Sequence, residues 1–282
     1  MTLDWWYVLI DALLPFEWAR NDFMKNALLA VLLLTPLMGV LGTMVVSNRM
    51  AFFSDSLGHG AFTGIAIGAL LGASLPWVSA IAFSVLFAVG ITWIQHRGTA
   101  SSDTVISVFS STAVALGLVL LTLGGSFSRF SALLVGDLLS VQAADIALLA
   151  AVLLGVLIVW FVLFNRVLLM SVNPSLAASR GVGTLGVQMA FTIVVAVVVT
   201  VSIQWVGLLL VNSLLVLPAA AARNVAGNVR SYHVWSVALA LVAGVGGLIA
   251  SYYAGAASGA VIVLAAAALF FMTFALRGRL RG

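Results

Sequence analysis

The sequence predicts an all-α protein, a polytopic bundle of transmembrane helices. Composition is the first observation: 63% of the 282 residues are hydrophobic and only 7% are charged, whereas a soluble domain carries about 25% charged residues. Repetition is the second. Apolar runs close to the roughly 20 residues needed to cross a bilayer recur from one end to the other, enough for about eight to nine spans. The third is that no intervening stretch is long and polar enough to form a soluble domain. Twelve basic and eight acidic residues leave a net charge of +4. Most of the basic residues fall in loops, where they orient the chain in the bilayer and imply no nucleic-acid partner. Cysteine is absent, which excludes disulfides, thiolate metal sites and cysteine nucleophiles.

Residues 1–22 hold Asp4, Asp11, Glu17 and Asp22, too many acids for a signal peptide, and Trp5, Trp6, Tyr7 and Trp18 suit an amphipathic interfacial segment. Residues 23–282 read as a single transmembrane domain. Its spans fall roughly at 24–47, 52–72, 76–95, 104–123, 143–164, 185–203, 206–223, 233–254 and 259–276. Segment 131–141 is too short to cross. It reads as a partial or re-entrant helix, which must be buried in protein or line a cavity. Glycines such as Gly39, Gly42, Gly64, Gly68, Gly117, Gly244 and Gly247 dot the spans, where small residues let helix backbones approach closely.

Basic residues set the orientation. Threading nine spans puts Arg49, Arg97, Arg166, Arg180, Arg223, Arg230, Arg277, Arg279 and Arg281 on one side, and Arg20, Lys25 and Arg129 on the other. The positive-inside rule then places the carboxy terminus in the cytoplasm and the interfacial segment outside.

The most informative polar residues are Asp55 and His59. Spaced four apart, they share one helix face. Counting from cytoplasmic Arg49 at 1.5 Å per residue, Asp55 lies about 9 Å and His59 about 15 Å into the membrane. Carboxylate oxygen with neutral imidazole nitrogen suits a divalent transition ion such as Zn2+ or Mn2+. Two ligands from one helix would hold a passing ion weakly enough to release it. The alternative is an Asp–His pair that only ties helices together. Gly58 and Gly60 favour the ion site by clearing space beside the pair. Asp103, Asp137 and Asn212 are further candidate ligands; Asp137 equally suits a helix cap or an external partner, and Asn212 an interhelical hydrogen bond. His96 and His233 sit at span ends and read as interfacial. Pro218 removes a backbone donor and bends its span.

The longest cytoplasmic break, residues 173–182, fits a short helix with Asn173 as N-cap, Pro174 at its first position and Gly181 as its stop. It is either an idle loop or the lever by which a cytoplasmic motor moves the membrane part. The chain has no GxxxxGK[ST] loop and so cannot bind ATP in that way, and no HExxH for a zinc protease. An ATP-independent secondary transporter or channel is the competing reading. An intramembrane serine enzyme is disfavoured, because no G-x-S-x-G elbow occurs.

Four runs in register resemble the permease subunit of bacterial zinc/manganese ABC importers, the ABC-3 family, over about residues 28–276. They are Asp55-Ser56-Leu57-Gly58-His59; Gly136-Asp137-Leu138-Leu139-Ser140-Val141; Gly207-Leu208-Leu209-Leu210-Val211 through Pro218-Ala219-Ala220-Ala221-Ala222-Arg223; and Ser251-Tyr252-Tyr253 with Ser258-Gly259. The resemblance implies a homodimeric pore in the bacterial inner membrane, two cytoplasmic ATPase subunits, and a periplasmic or lipid-anchored metal-binding protein. It implies no enzymatic activity and no tightly bound cofactor in this chain, only transported Zn2+ or Mn2+. Zinc comes first, because the Gly136–Val141 run looks closer to the family's zinc branch. Residues 173–182 become a coupling helix, with Pro174, Ala177 and Gly181 matching the family's D-P-E-x-A-x-x-x-G pattern. Asn173 and Ser175 stand where that pattern has acids, which puts in doubt any salt bridges those acids make at the ATPase interface, though not the docking itself.

Overall fold

Without water to solvate them, backbone groups in apolar segments are satisfied internally only in helices or closed barrels. The computed structural model describes residues 3–73, 75–98, 100–124 and 138–280, and these are helical apart from short connections, with no strand among the described residues. The helices are α1 (Asp4–Leu13), α2 (Asp22–Ser47), α3 (Ala51–Leu70), α4 (Pro76–Arg97), α5 (Ser102–Leu123), α6 (Ala143–Val172), α7 (Pro174–Ser179), α8 (Thr184–Val206), α9 (Leu208–Val225), α10 (Val229–Ala254) and α11 (Ser258–Leu280). Single 3-10 turns occur at Glu17–Arg20 and Leu138–Ser140. The latter covers the end of the expected partial helix at 131–141; the rest of that segment, with Asp137, lies outside the described residues.

Each expected span coincides with a helix, and among the described residues seven of these helices are long and apolar enough to cross a bilayer by themselves: α2, α4, α5, α6, α8, α10 and α11. The exceptions, α3 and α9, are those that carry the polar motifs. Asp55, His59 and several serines and glycines dilute α3, while the stretch Leu210–Val225 of α9 is apolar but shorter than a full span. Both bury most of their surface against protein, so neither needs an apolar coat for lipid.

Two compact units emerge. The first comprises Met1–Val46, Val135–Gly155 and Trp205–Gly282. In it α9, α10 and α11 pack on one another, around Ala221, Ala222, Tyr232 and Leu239. Helix α2 joins them through close backbone contact. Gly42 lies against the carbonyl of Leu215, and Ser236 Oγ donates to the Gly39 carbonyl at 2.7 Å. Gly207, at φ +84°, turns the chain into α9 in a conformation that L side chains rarely adopt. Helix α1 sits on the start of α2, where Trp6 Nε1 donates to the Lys25 carbonyl at 2.8 Å and Tyr7 Oη to Asn26 Oδ1 at 2.9 Å.

The second unit comprises Ser47–Leu134 and Val156–Gln204. Helix α3 packs against both α4 and α5. Gly60, Gly64 and Gly68 form its seam with α4. A Cβ on Gly60 would touch the Phe87 ring, and one on Gly64 would come within 2.7 Å of the Ala80 Cα. Gly60 therefore serves helix packing against α4, which corrects the expectation that it clears space beside Asp55 and His59. On the α5 side Gly117 abuts Thr63, whose hydroxyl donates to the Ala113 carbonyl. Phe87 and Phe109 pack edge to face at 5.5 Å, and Thr92 of α4 bonds Thr192 of α8.

The seam predicts a contrast. Gly64→Ala should destabilise the protein by about 1–3 kcal/mol through overpacking, and Gly246→Ala, where a Cβ meets nothing within 4 Å, should not. Thermal unfolding of the two variants in one detergent checks this.

Candidate functional site

Helix α3 exposes a single stripe. Phe52, Asp55, His59 and Phe62 recur at three- and four-residue intervals and are at least partly open, while nearly all the residues between them are buried. The buried hydroxyls of Ser54 and Ser56 turn back to their own helix, donating to the carbonyls of Ala51 and Phe53 at 2.7 and 2.8 Å. The polar groups left facing outward are therefore a carboxylate and an imidazole.

Asp55 Oδ2 lies 3.9 Å from His59 Nε2, with the side chains 39% and 31% exposed. That separation is too long for a hydrogen bond. It suits two donors on one ion, since metal–oxygen and metal–nitrogen bonds run about 2.0–2.2 Å. The pair supplies two ligands, fewer than a tetrahedral or octahedral ion requires. The described residues contain no group of three or more His, Cys, Asp or Glu able to hold a metal.

Asp103 is exposed in the first turn of α5, a helix capped by Ser101, and does not form such a group with Asp55 and His59. Asn212 is half-buried on α9 of the first unit and is not without a partner. His233 is more than an interfacial residue: its ring nitrogens lie 2.9 Å from Thr43 Oγ1 and 2.8 Å from the Val229 carbonyl. His96 lines a cavity in the second unit.

Helix α7 is built as its sequence dictates. Asn173 Oδ1 accepts from the Leu176 amide at 3.0 Å, and Pro174 takes the first helical position. At the other end Gly181 has φ +76°. The Val182 amide donates to Ala177 and the Gly181 amide to Ala178, both at 3.0 Å, the paired closure of a Schellman motif. Ala177 is fully buried and Leu176 exposed, so the helix is seated on one face and open on the other.

One polar cluster had no signal in the sequence. Lys25, only 4% exposed, places Nζ 2.8 and 2.9 Å from the two carboxylate oxygens of Asp11 and 3.5 Å from Asp22. Its ammonium also lies 5.3 Å from the Tyr7 ring centre. Asp11 and Lys25 belong to different helices, with a Pro15 break between them, so no periodicity links the two. Asn21 Nδ2 similarly reaches Tyr252 Oη across 231 positions, at 3.3 Å.

Known proteins agree with this architecture. The family model described as ABC 3 transport family matches residues 20–277. The chain is 29% identical over 260 residues to the high-affinity zinc uptake system membrane protein ZnuB of Haemophilus influenzae, covering 92% of this chain and 99% of that protein. It is 30% identical over 259 residues to the manganese import system permease protein ScaB of Streptococcus gordonii, covering 92% and 93%. Among solved structures, PsaBC from Streptococcus pneumoniae in complex with Fab superposes with a TM-score of 0.79 at 28% identity, over 95% of this chain and 94% of that one.

The caps of α7 can be tested individually. Asn173→Ala should cost about 1 kcal/mol of local stability, and Gly181→Ala about 1–2 kcal/mol through left-handed strain. Amide exchange across residues 174–182 should accelerate in both variants while that of α10 stays unchanged.

Proposed function

The chain belongs to the ABC 3 transport family, and from that premise we propose that it is the membrane permease subunit of an ATP-driven importer carrying a divalent transition metal into the cytoplasm. Zinc is the first choice of cargo and manganese the second. Relatives named for each metal align over 92% of the chain. Intrinsic affinity favours zinc over manganese at almost any oxygen–nitrogen site, so selection belongs to the protein that delivers the ion.

The observation that carries this reading is the Asp55–His59 pair, 3.9 Å apart on the open stripe of α3. Two ligands on one helix turn give an ion a foothold. Water or further ligands complete its shell. An incomplete protein shell suits transit, because an ion that must leave again cannot be held by a full cage.

The family and the charge distribution support the remaining parts of the proposal. A second copy of the chain forms the pore, and two cytoplasmic ATPase subunits supply the energy. A periplasmic or lipid-anchored protein captures the metal. Basic residues concentrated on the side of the carboxy terminus put that end in the cytoplasm of a bacterial inner membrane. Helix α7 is then the coupling element, with Pro174 and Gly181 defining its ends and Ala177 seating it. The chain itself catalyses no reaction.

Asp55→Ala and His59→Ala should each lower ATP-dependent metal uptake at least tenfold in cells while leaving protein level and ATPase assembly unchanged. Normal uptake by either variant would overturn the transit role. Metal uptake by the chain alone in ATP-free liposomes would overturn the importer and indicate a secondary transporter or channel.

A further inference from the structure

At the end of the second unit where α4 stops and α5 begins, a cavity of about 360 Å³ opens between helix ends. Arg49, Gln95, His96, Ser102, Pro174 and Gln188 are among its lining residues. Pro174 is also the first residue of α7, so the cavity adjoins the short helix.

Its charge is one-sided. Arg49 and His96 are the ionisable lining groups, and no carboxylate lines it. Among the described residues no acid forms an ion pair with Arg49. Asp103 follows Ser102 in sequence but does not contribute to the wall. Beside the cavity, Arg97 lies over the Trp93 ring at 4.8 Å. The α7 stretch 173–182 contains Arg180 and no acid. Amide groups of Gln95 and Gln188 and the Ser102 hydroxyl add neutral hydrogen-bonding capacity.

Arg49 is also the one non-glycine residue with positive φ among the described residues, at +58°. A left-handed conformation costs an L residue roughly 1–2 kcal/mol, and glycine would remove that strain. Arg49 is exposed at the mouth of the cavity, so its guanidinium can reach a partner that docks there.

Resting on the permease reading above, we infer that this cavity is a socket for a carboxylate side chain of the cytoplasmic ATPase. The acid inserts beside α7 and pairs with Arg49. Docking here is thus the reverse in sign of an interface in which the permease contributes acids: the permease presents cations, and the ATPase supplies the anion. Guanidinium and carboxylate meet in a bidentate geometry that lysine does not reproduce.

The test measures ATPase binding to the purified full-length chain in detergent, over a range of salt. Arg49→Asn removes the charge while tolerating the left-handed backbone, and Arg49→Glu reverses it. The first should weaken binding roughly tenfold and the second further, with a shallower salt dependence. Replacing the matching ATPase acid by lysine should weaken binding to the natural chain and restore it to Arg49→Glu. Unchanged affinity and salt slope in both Arg49 variants, with the natural chain binding normally, would overturn the socket and leave the permease reading intact. Absence of any ATPase binding by the natural chain would overturn both. Inorganic phosphate that occupies the cavity without competing with the ATPase would assign it to a free anion and overturn the docking role.

Discussion

The close approach of α3 to α4 is the constraint from which the candidate site follows. Gly60, Gly64 and Gly68 lie in one row and meet Phe87, Ala80 and Ser79. Between apolar helices in lipid there is no hydrophobic drive to associate, so contact area and hydrogen bonding must hold them. A glycine row admits a neighbouring backbone where any Cβ would hold it off. With α4 on that side and α5 on the side of Thr63, α3 is left one open stripe. Asp55 and His59 lie on it because of their register, four residues apart and out of phase with the glycines. Moving either by one position would turn it about 100° around the helix axis.

The same solvent explains the rest of the polar inventory. Hydroxyls inside the units are spent on backbone carbonyls one turn back: Thr35 on Val31, Thr92 on Ala88 and Ser251 on Leu248. Others cross between helices, as from Ser236 to the Gly39 carbonyl and from Thr63 to Ala113. The buried ammonium of Lys25 is met by both oxygens of Asp11, as an ion removed from water must be. Asp55 and His59 stand side by side on the open stripe of α3, and ionisable groups at membrane depth mark functional positions.

Much of this was legible beforehand. Run lengths located the helices, and Asn173, Pro174 and Gly181 marked the ends of α7 through local hydrogen-bond chemistry. The i,i+4 spacing singled out Asp55 and His59. The role of a single glycine depends on its neighbour: Gly60 faces Phe87 and not the Asp55–His59 pair. Helix α3 coincides with an expected span although Asp55 and His59 dilute its apolar character, because it is covered largely by protein. Lys25 read as a topogenic charge, and nothing local revealed Asp11 as its partner. Arg49 read only as an orientation marker, since backbone φ leaves no trace in composition.

By itself the sequence determined the helical membrane class, the helix ends and the Asp55–His59 spacing. Each of these is set by residues within a few turns of one another and by the cost of leaving backbone groups unpaired in lipid. Only the tertiary structure decided which faces are buried, that the pair stands on the open stripe of α3, that Lys25 is neutralised by Asp11, and that Arg49 borders a cavity beside α7. Those outcomes depend on contacts between segments far apart in the chain, where a change of one ångström in helix separation decides whether a glycine is a seam or a gap.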